Sequence, residues 1–149
     1  MSVKATGIKE LEKQLEALEK NMDSFIKDCA REITALLLRK TIQKTPVGQY
    51  PRSSGKKGGT LRKGWTGGVT ESATNYSKHV QINQVGDEYF VYISNPVEYA
   101  SYVEYGHTTT NGWWVEGQFM LKLSVKEVDN LTEKLVERKI HQYIKRYAW

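Results

Sequence analysis

Cysteine occurs once in this sequence, and proline and histidine three times each. A single thiol, Cys29, permits no internal disulfide, and it falls on the apolar side of a helical pattern where packing is its expected use. None of His79, His107 and His141 is followed three or four residues later by a second ligand, so no metal site is expected. No apolar run approaches the ~18 residues of a membrane helix. The opening MSVKATGIKELEKQ also lacks the apolar core of a signal peptide, so residence in the cytoplasm where the chain is made is expected. Acid is missing locally: between Ile33 and Thr70 there are eight Lys or Arg and no Asp or Glu.

What is present is a chain of 149 residues, 39% hydrophobic and 26% charged, the composition of one globular domain spanning 1–149. Its net charge of +5 is uneven. Outside the basic segment, fourteen basic face seventeen acidic side chains, so a mildly acidic body carries one basic stretch.

Ile8, Leu11, Leu15, Leu18 and Met22 recur at spacings of three and four, the stripe of an amphipathic helix that Thr6 is placed to cap. Asn21-Met22-Asp23-Ser24 predicts a break and a fresh cap. A second helix follows, with Phe25, Ile26, Cys29, Ala30, Ile33, Leu36 and Leu37 on its apolar face, ending near Lys44 ahead of Pro46. Such a stripe cannot stabilise a free helix, so the first helix must dock. WTGGVTES predicts a strand weakened by glycine, and SKHVQINQV with YFVYISNP predicts a β-hairpin turning at Gly86-Asp87. VEYASYVEYG predicts a short helix ended by Gly106 in the left-handed region. Phe119 to Tyr147 predicts a long helix with Val128, Leu131, Leu135, Val136, Ile140, Tyr143, Ile144 and Tyr147 inward. The fold class is therefore α+β: a small antiparallel sheet packed with long N- and C-terminal helices, a short helix and a long basic loop.

No catalytic constellation emerges. GKKGGT lacks the Gly-Lys-Ser/Thr of a phosphate loop and follows a helix where a strand is required. Glu98 and Glu104, six apart on the short helix, fall on different faces and are expected to be solvated there. Neither an enzyme nor a cofactor is indicated. The stretch TPVGQYPRSSGKKGGTLRKGW is more informative. A loop this long is functional or disordered, and Pro46, Tyr50, Leu61 and Trp65 give it anchors. Arg52, Lys56, Lys57, Arg62 and Lys63 with Tyr50 and Trp65 would also suit a nucleic-acid-binding protein, through phosphate contacts and base stacking.

Four segments in order, KTPVGQYP, GGTLRKGW, VEYASYVEYGH and WVEGQFML, followed by a long helix, resemble the head–tail joining (tail-completion) proteins of long-tailed bacteriophages and phage-tail-like particles. The Z-type minor tail proteins of lambdoid phages are distant members of that group. Thr45, Pro46 and Val47 match the start of the family's loop, and Thr60, Leu61, Arg62 and Trp65 its end. Tyr99, Ala100, Val103, Glu104, Gly106 and His107 match its short helix and turn, and Gly117, Phe119, Met120 and Leu121 the approach to its last helix. Gln49 to Gly59 separates the two halves of the loop, which makes this a long-loop form. The resemblance implies a structural virion protein of the neck: a hexameric ring of identical copies between head connector and tail tube or terminator, with DNA passing through it. Its assembly surface is expected at Tyr50, Arg52, Lys56, Lys57, Leu61, Arg62, Lys63 and Trp65 of the loop and at Tyr99, Tyr102, Glu104, Tyr105 and His107 of the short helix. The alternative to solvation for Glu104 is a pair with Arg62 or Lys63 of an adjacent loop.

Overall fold

The computed structural model describes residues 6–147, with side chains from Ile8 onward. Its elements in chain order are α1 (Thr6–Lys44), a 3-10 turn (Arg52–Ser54), α2 (Thr60–Gly64), α3 (Ala73–His79), β1 (Asn83–Val85), β2 (Glu88–Phe90), α4 (Ala100–Tyr105), β3 (Gly106–Thr108), β4 (Trp114–Glu116) and α5 (Met120–Tyr147). The architecture is α+β, dominated by the two long terminal helices. Among the described residues no helix is long and apolar enough to cross a membrane.

α1 is one helix of 39 residues, about 58 Å at 1.5 Å per residue, not the two expected. The side chains read as a break serve the helix instead. Asn21 Nδ2 donates to the Ala17 carbonyl one turn back at 2.7 Å, and Asp23 pairs with Lys27 one turn on at 2.9 Å. The cap expected at Thr6 lies outside the described side chains. α1 does end at Lys44, before Pro46, as expected.

α5 runs antiparallel along α1. Glu127 near its start accepts Lys44 at 2.7 Å and Lys40 at 3.0 Å, Lys139 reaches Glu32 at 2.9 Å, and Tyr143 stacks on Phe25 at 4.6 Å. The seam is lined by Thr34, Ala35, Leu38 and Thr41 on α1 and Met120, Ser124 and Val128 on α5, all buried. Small side chains let the helices approach closely. The buried hydroxyls of Thr34, Thr41 and Ser124 donate to carbonyls four residues back, so none is left without a partner. The buried face coincides only in part with the apolar face read in the sequence: Cys29 of α1 and Val128, Leu135 and Tyr143 of α5 are buried as expected, whereas Phe25, Ile26, Ile33 and Leu37 are half-buried and Leu131 and Ile140 are exposed.

Leu38, Leu61, Trp65, Ala73 and Met120 form the core, with Ile42, Tyr76, Ile93, Val97 and Val103 packed around them. It lies at the C-terminal end of α1, and burying each of its large side chains contributes ~1.5–3 kcal/mol.

Two strand expectations fail. WTGGVTES is a turn followed by α3, fixed by the Thr66 hydroxyl, which donates to the Lys63 and Val69 carbonyls, and by Ser72, whose hydroxyl caps α3 by accepting from Asn75 N at 3.1 Å. Ser77, Lys78 and His79 are helical, so β1 begins only at Asn83. The hairpin turns where expected, β1 and β2 pairing antiparallel across Gly86-Asp87 with Val85 opposite Glu88, although β2 stops at Phe90 instead of running on through Val91 and Ile93.

Candidate functional site

The loop from Thr45 to Trp65 is closed at its base by one residue. The Thr45 hydroxyl donates to the Thr41 carbonyl at 2.7 Å and accepts the Trp65 indole N–H at 2.9 Å, while the Thr45 carbonyl accepts Arg62 Nε at 2.7 Å. Both ends of the loop are thereby tied where α1 stops. The strands of the loop also cross. A Cβ on Gly58 would stand 2.0 Å from the Gly48 carbonyl oxygen, so this crossing admits only glycine. Beyond it, Gln49 to Lys57 are exposed, with Lys56 Nζ 5.9 Å from the Tyr50 ring centre.

The base of the loop faces α4. Tyr50, Lys57 and Leu61 share a small cleft of about 200 Å³ with Tyr99 and Val103. Asn95 latches this arrangement, donating to the Leu61 carbonyl at 2.8 Å and accepting Val97 N at 3.1 Å.

Several expected interface residues are committed inside the chain. Leu61 and Trp65 are core residues, each 5% exposed, and Arg62 holds Thr45. The stacking platform imagined for nucleic acid therefore loses its tryptophan. Glu104 is 8% exposed, not solvated, and within its own chain it pairs with neither Arg62 nor Lys63. Its two carboxylate oxygens accept the backbone N–H groups of Leu121 and Lys122, both at 3.0 Å, which makes it the N-terminal cap of α5. The Glu104 carbonyl accepts Phe119 N at 3.0 Å and the Val103 carbonyl accepts Gln118 N at 2.7 Å, so α4 is bolted to the start of α5. Glu98 lies in the turn before α4 rather than on it.

Gly106 ends α4 with a positive φ of 85°, but its ψ of 170° is extended rather than left-handed helical, and the chain runs straight into β3. β3 and β4 form a second hairpin that was not anticipated, with His107 opposite Val115 and Thr108 opposite Trp114. Its turn is set by Thr109, whose hydroxyl accepts Trp113 N at 3.1 Å. The Asn111-Gly112 pair within the predicted connector HTTTNGWWVEGQ was the available hairpin signal. The Trp114 ring lies against Gly106, where a Cβ would approach it to 2.7 Å.

These fixings display an aromatic face. Tyr99, Tyr102 and Tyr105 on α4 and Trp113 and Trp114 on the hairpin are all between 44% and 75% exposed. His107 sits beside Tyr102, ring centres 5.5 Å apart, and its buried Nδ1 has no hydrogen-bond partner among the described residues. Aromatic residues are enriched at protein interfaces because they cover apolar area on a rigid side chain with a polar tip. These exposed rings on a capped, hydrogen-bonded frame have the composition of an interface.

Comparison with known proteins agrees with that class of role. Residues 9–106 match the HK97-gp10-like family, bacteriophage HK97 gp10 tail components; the match takes in α1, the loop and α4 and stops where β3 begins. No curated protein and no solved structure matches the chain. With about two thirds of its length in that match, the chain belongs to the HK97-gp10-like family of bacteriophage tail components.

Proposed function

We propose that the protein is a non-enzymatic structural component of the phage neck, assembling as a ring of identical copies that joins the head connector to the tail or completes the tail end. The sixfold symmetry follows from the resemblance to head–tail joining proteins. The observation that carries the reading is the aromatic face of α4 and the β3–β4 hairpin, five large rings left exposed on a frame held by the Glu104 cap. The exposed tip of the loop, with Arg52, Lys56 and Lys57, supplies a second surface of opposite character, for an acidic neighbour or for DNA in the lumen.

Deleting the gene in its phage and complementing it tests the proposal. Without the protein, filled heads and free tails should accumulate unjoined, and wild-type protein in trans should restore virions. Complementation with Tyr102→Ala and Trp114→Ala combined should fail while the purified variant melts like wild type. Joined, infective particles from the deletion would overturn the neck assignment.

A further inference from the structure

α1 outruns its partner. Tyr143 near the end of α5 stacks on Phe25 and donates its hydroxyl to the Leu18 carbonyl, and from Leu18 back to Thr6 α1 extends a further twelve residues, about 18 Å. On this arm Ile8, Leu11 and Leu15 are 61%, 44% and 52% exposed. Glu12, Glu16 and Glu19 follow at spacings of four and three, which sets them in one row along a border of the apolar stripe; Asp23, next in that row, is already held by Lys27 and Tyr89. The arm is an amphipathic helix with an acidic edge, and its apolar stripe is left exposed by the described residues.

A groove that fits it opens farther along the same molecule. Between α1, α3 and α5 lies an open channel of about 870 Å³, floored by Ala35, Leu36, Leu131 and Leu135. Six Arg or Lys line it against two carboxylates. Glu32 is engaged by Arg138 and Lys139, whereas among the described residues Lys78 and Lys134 pair with no carboxylate. Along α1 the groove runs from Asp28 to Arg39, about 17 Å, close to the length of the arm.

We infer that the α1 arm of one copy docks in the basic groove of the next, its leucines on the apolar floor and its Glu row against Lys78 and Lys134. This rests on the reading that identical copies assemble, and it names the contact between them. Pairing of arm with arm is disfavoured, because an acidic border would meet its like. The contact is head-to-tail, since arm and groove are different surfaces, and such contacts close into rings when the rotation permits. It is helix-in-groove recognition, with anchors at i, i+3 and i+7.

Covalent trapping tests it. Leu15→Cys and Leu131→Cys, both at exposed positions, are co-expressed during phage growth and the particles mildly oxidised. A disulfide-linked dimer containing both variants is expected, at least roughly tenfold above the product of either variant alone, given how short a disulfide must be. Glu12→Lys with Glu19→Lys should cut that product by about tenfold, and Lys78→Glu with Lys134→Glu on the other copy should restore it. Dominant 15-to-15 product, or no 15-to-131 product from variants whose circular dichroism melts match wild type, would overturn the inference. Reconstruction of the same particles separates the two ideas. The cross-link with density away from the neck supports this contact and removes the neck assignment; density at the neck without the cross-link removes only this contact.

Discussion

At its C-terminal end α1 buries Leu38, Thr41 and Thr45 to 1% exposure or less, whereas at its N-terminal end Ile8, Leu11 and Leu15 lie largely in solvent. Both ends carry a stripe at helical spacing. The packed end buries Leu38 together with threonines whose hydroxyls donate to carbonyls one turn back on their own helix, so that neither hydroxyl is left unsatisfied against the neighbour. The free end carries bulky aliphatic residues and an acidic border, the composition of a surface awaiting a partner at longer range. Helical spacing of apolar residues alone therefore does not show which end of α1 is interior; the exposure of the stripe does.

Substitutions at the two ends should separate stability from assembly. The largest loss is expected for Trp65→Ala, which opens the core and releases the loop base at Thr45; truncation of a buried aromatic costs ~3–5 kcal/mol, read in a urea melt of the purified protein. Next comes Glu104→Ala, which leaves the first N–H groups of α5 unsatisfied at a buried position, at ~1–3 kcal/mol in the same measurement. A variant as stable as wild type would show that the cap contributes nothing.

A smaller effect is expected with pH. Lys44 and then Lys40 hydrogen-bond Glu127, holding its carboxyl below the ordinary 4.5. A depressed folded value means the clamp between α1 and α5 stabilises above about pH 4.5 and is lost as pH falls through the folded value. The difference in melting temperature between wild type and Glu127→Gln should therefore be largest at neutral pH and shrink on acidification. A gap that does not shrink would remove Glu127 ionisation from the account.

The smallest effect on stability, under ~0.5 kcal/mol, is expected for Leu11→Asp with Leu15→Asp, since neither side chain is buried by its own chain. The same double change should abolish particle assembly, because docking would bury two unpaired charges. A large drop in the melting temperature of the isolated protein would place the arm in the packed region after all. Normal assembly would leave the stripe without a role.

Much of the fold was legible locally. The end of α1 before Pro46, the hairpin turning at Gly86-Asp87, and α5 from Met120 each follow from one strong local signal. The misreadings share a cause. Asp23 and Ser24 are good caps in isolation, yet inside a long helix Asn21 and Asp23 bond one turn along it, and the continuing ladder prevails. At the site, Tyr99, Tyr102 and Tyr105 were found from their crowding on one short helix, and Trp113 and Trp114 were missed because the Asn-Gly turn between them and β3 was read as a connector.

By itself, then, the sequence determined the periodicities, the helix stops, the basic loop and, through its motifs, the resemblance to phage neck proteins. Those depend on neighbours within a few residues or on residue type alone. Only the tertiary structure decided which face of α1 is interior, that Trp65 and Leu61 belong to the core, and that Glu104 caps a helix beginning sixteen residues later. A carboxylate has the same chemistry in solvent, in an ion pair or on a helix end. Its role is set by which donors the fold brings within 3 Å, and those donors are distant in sequence.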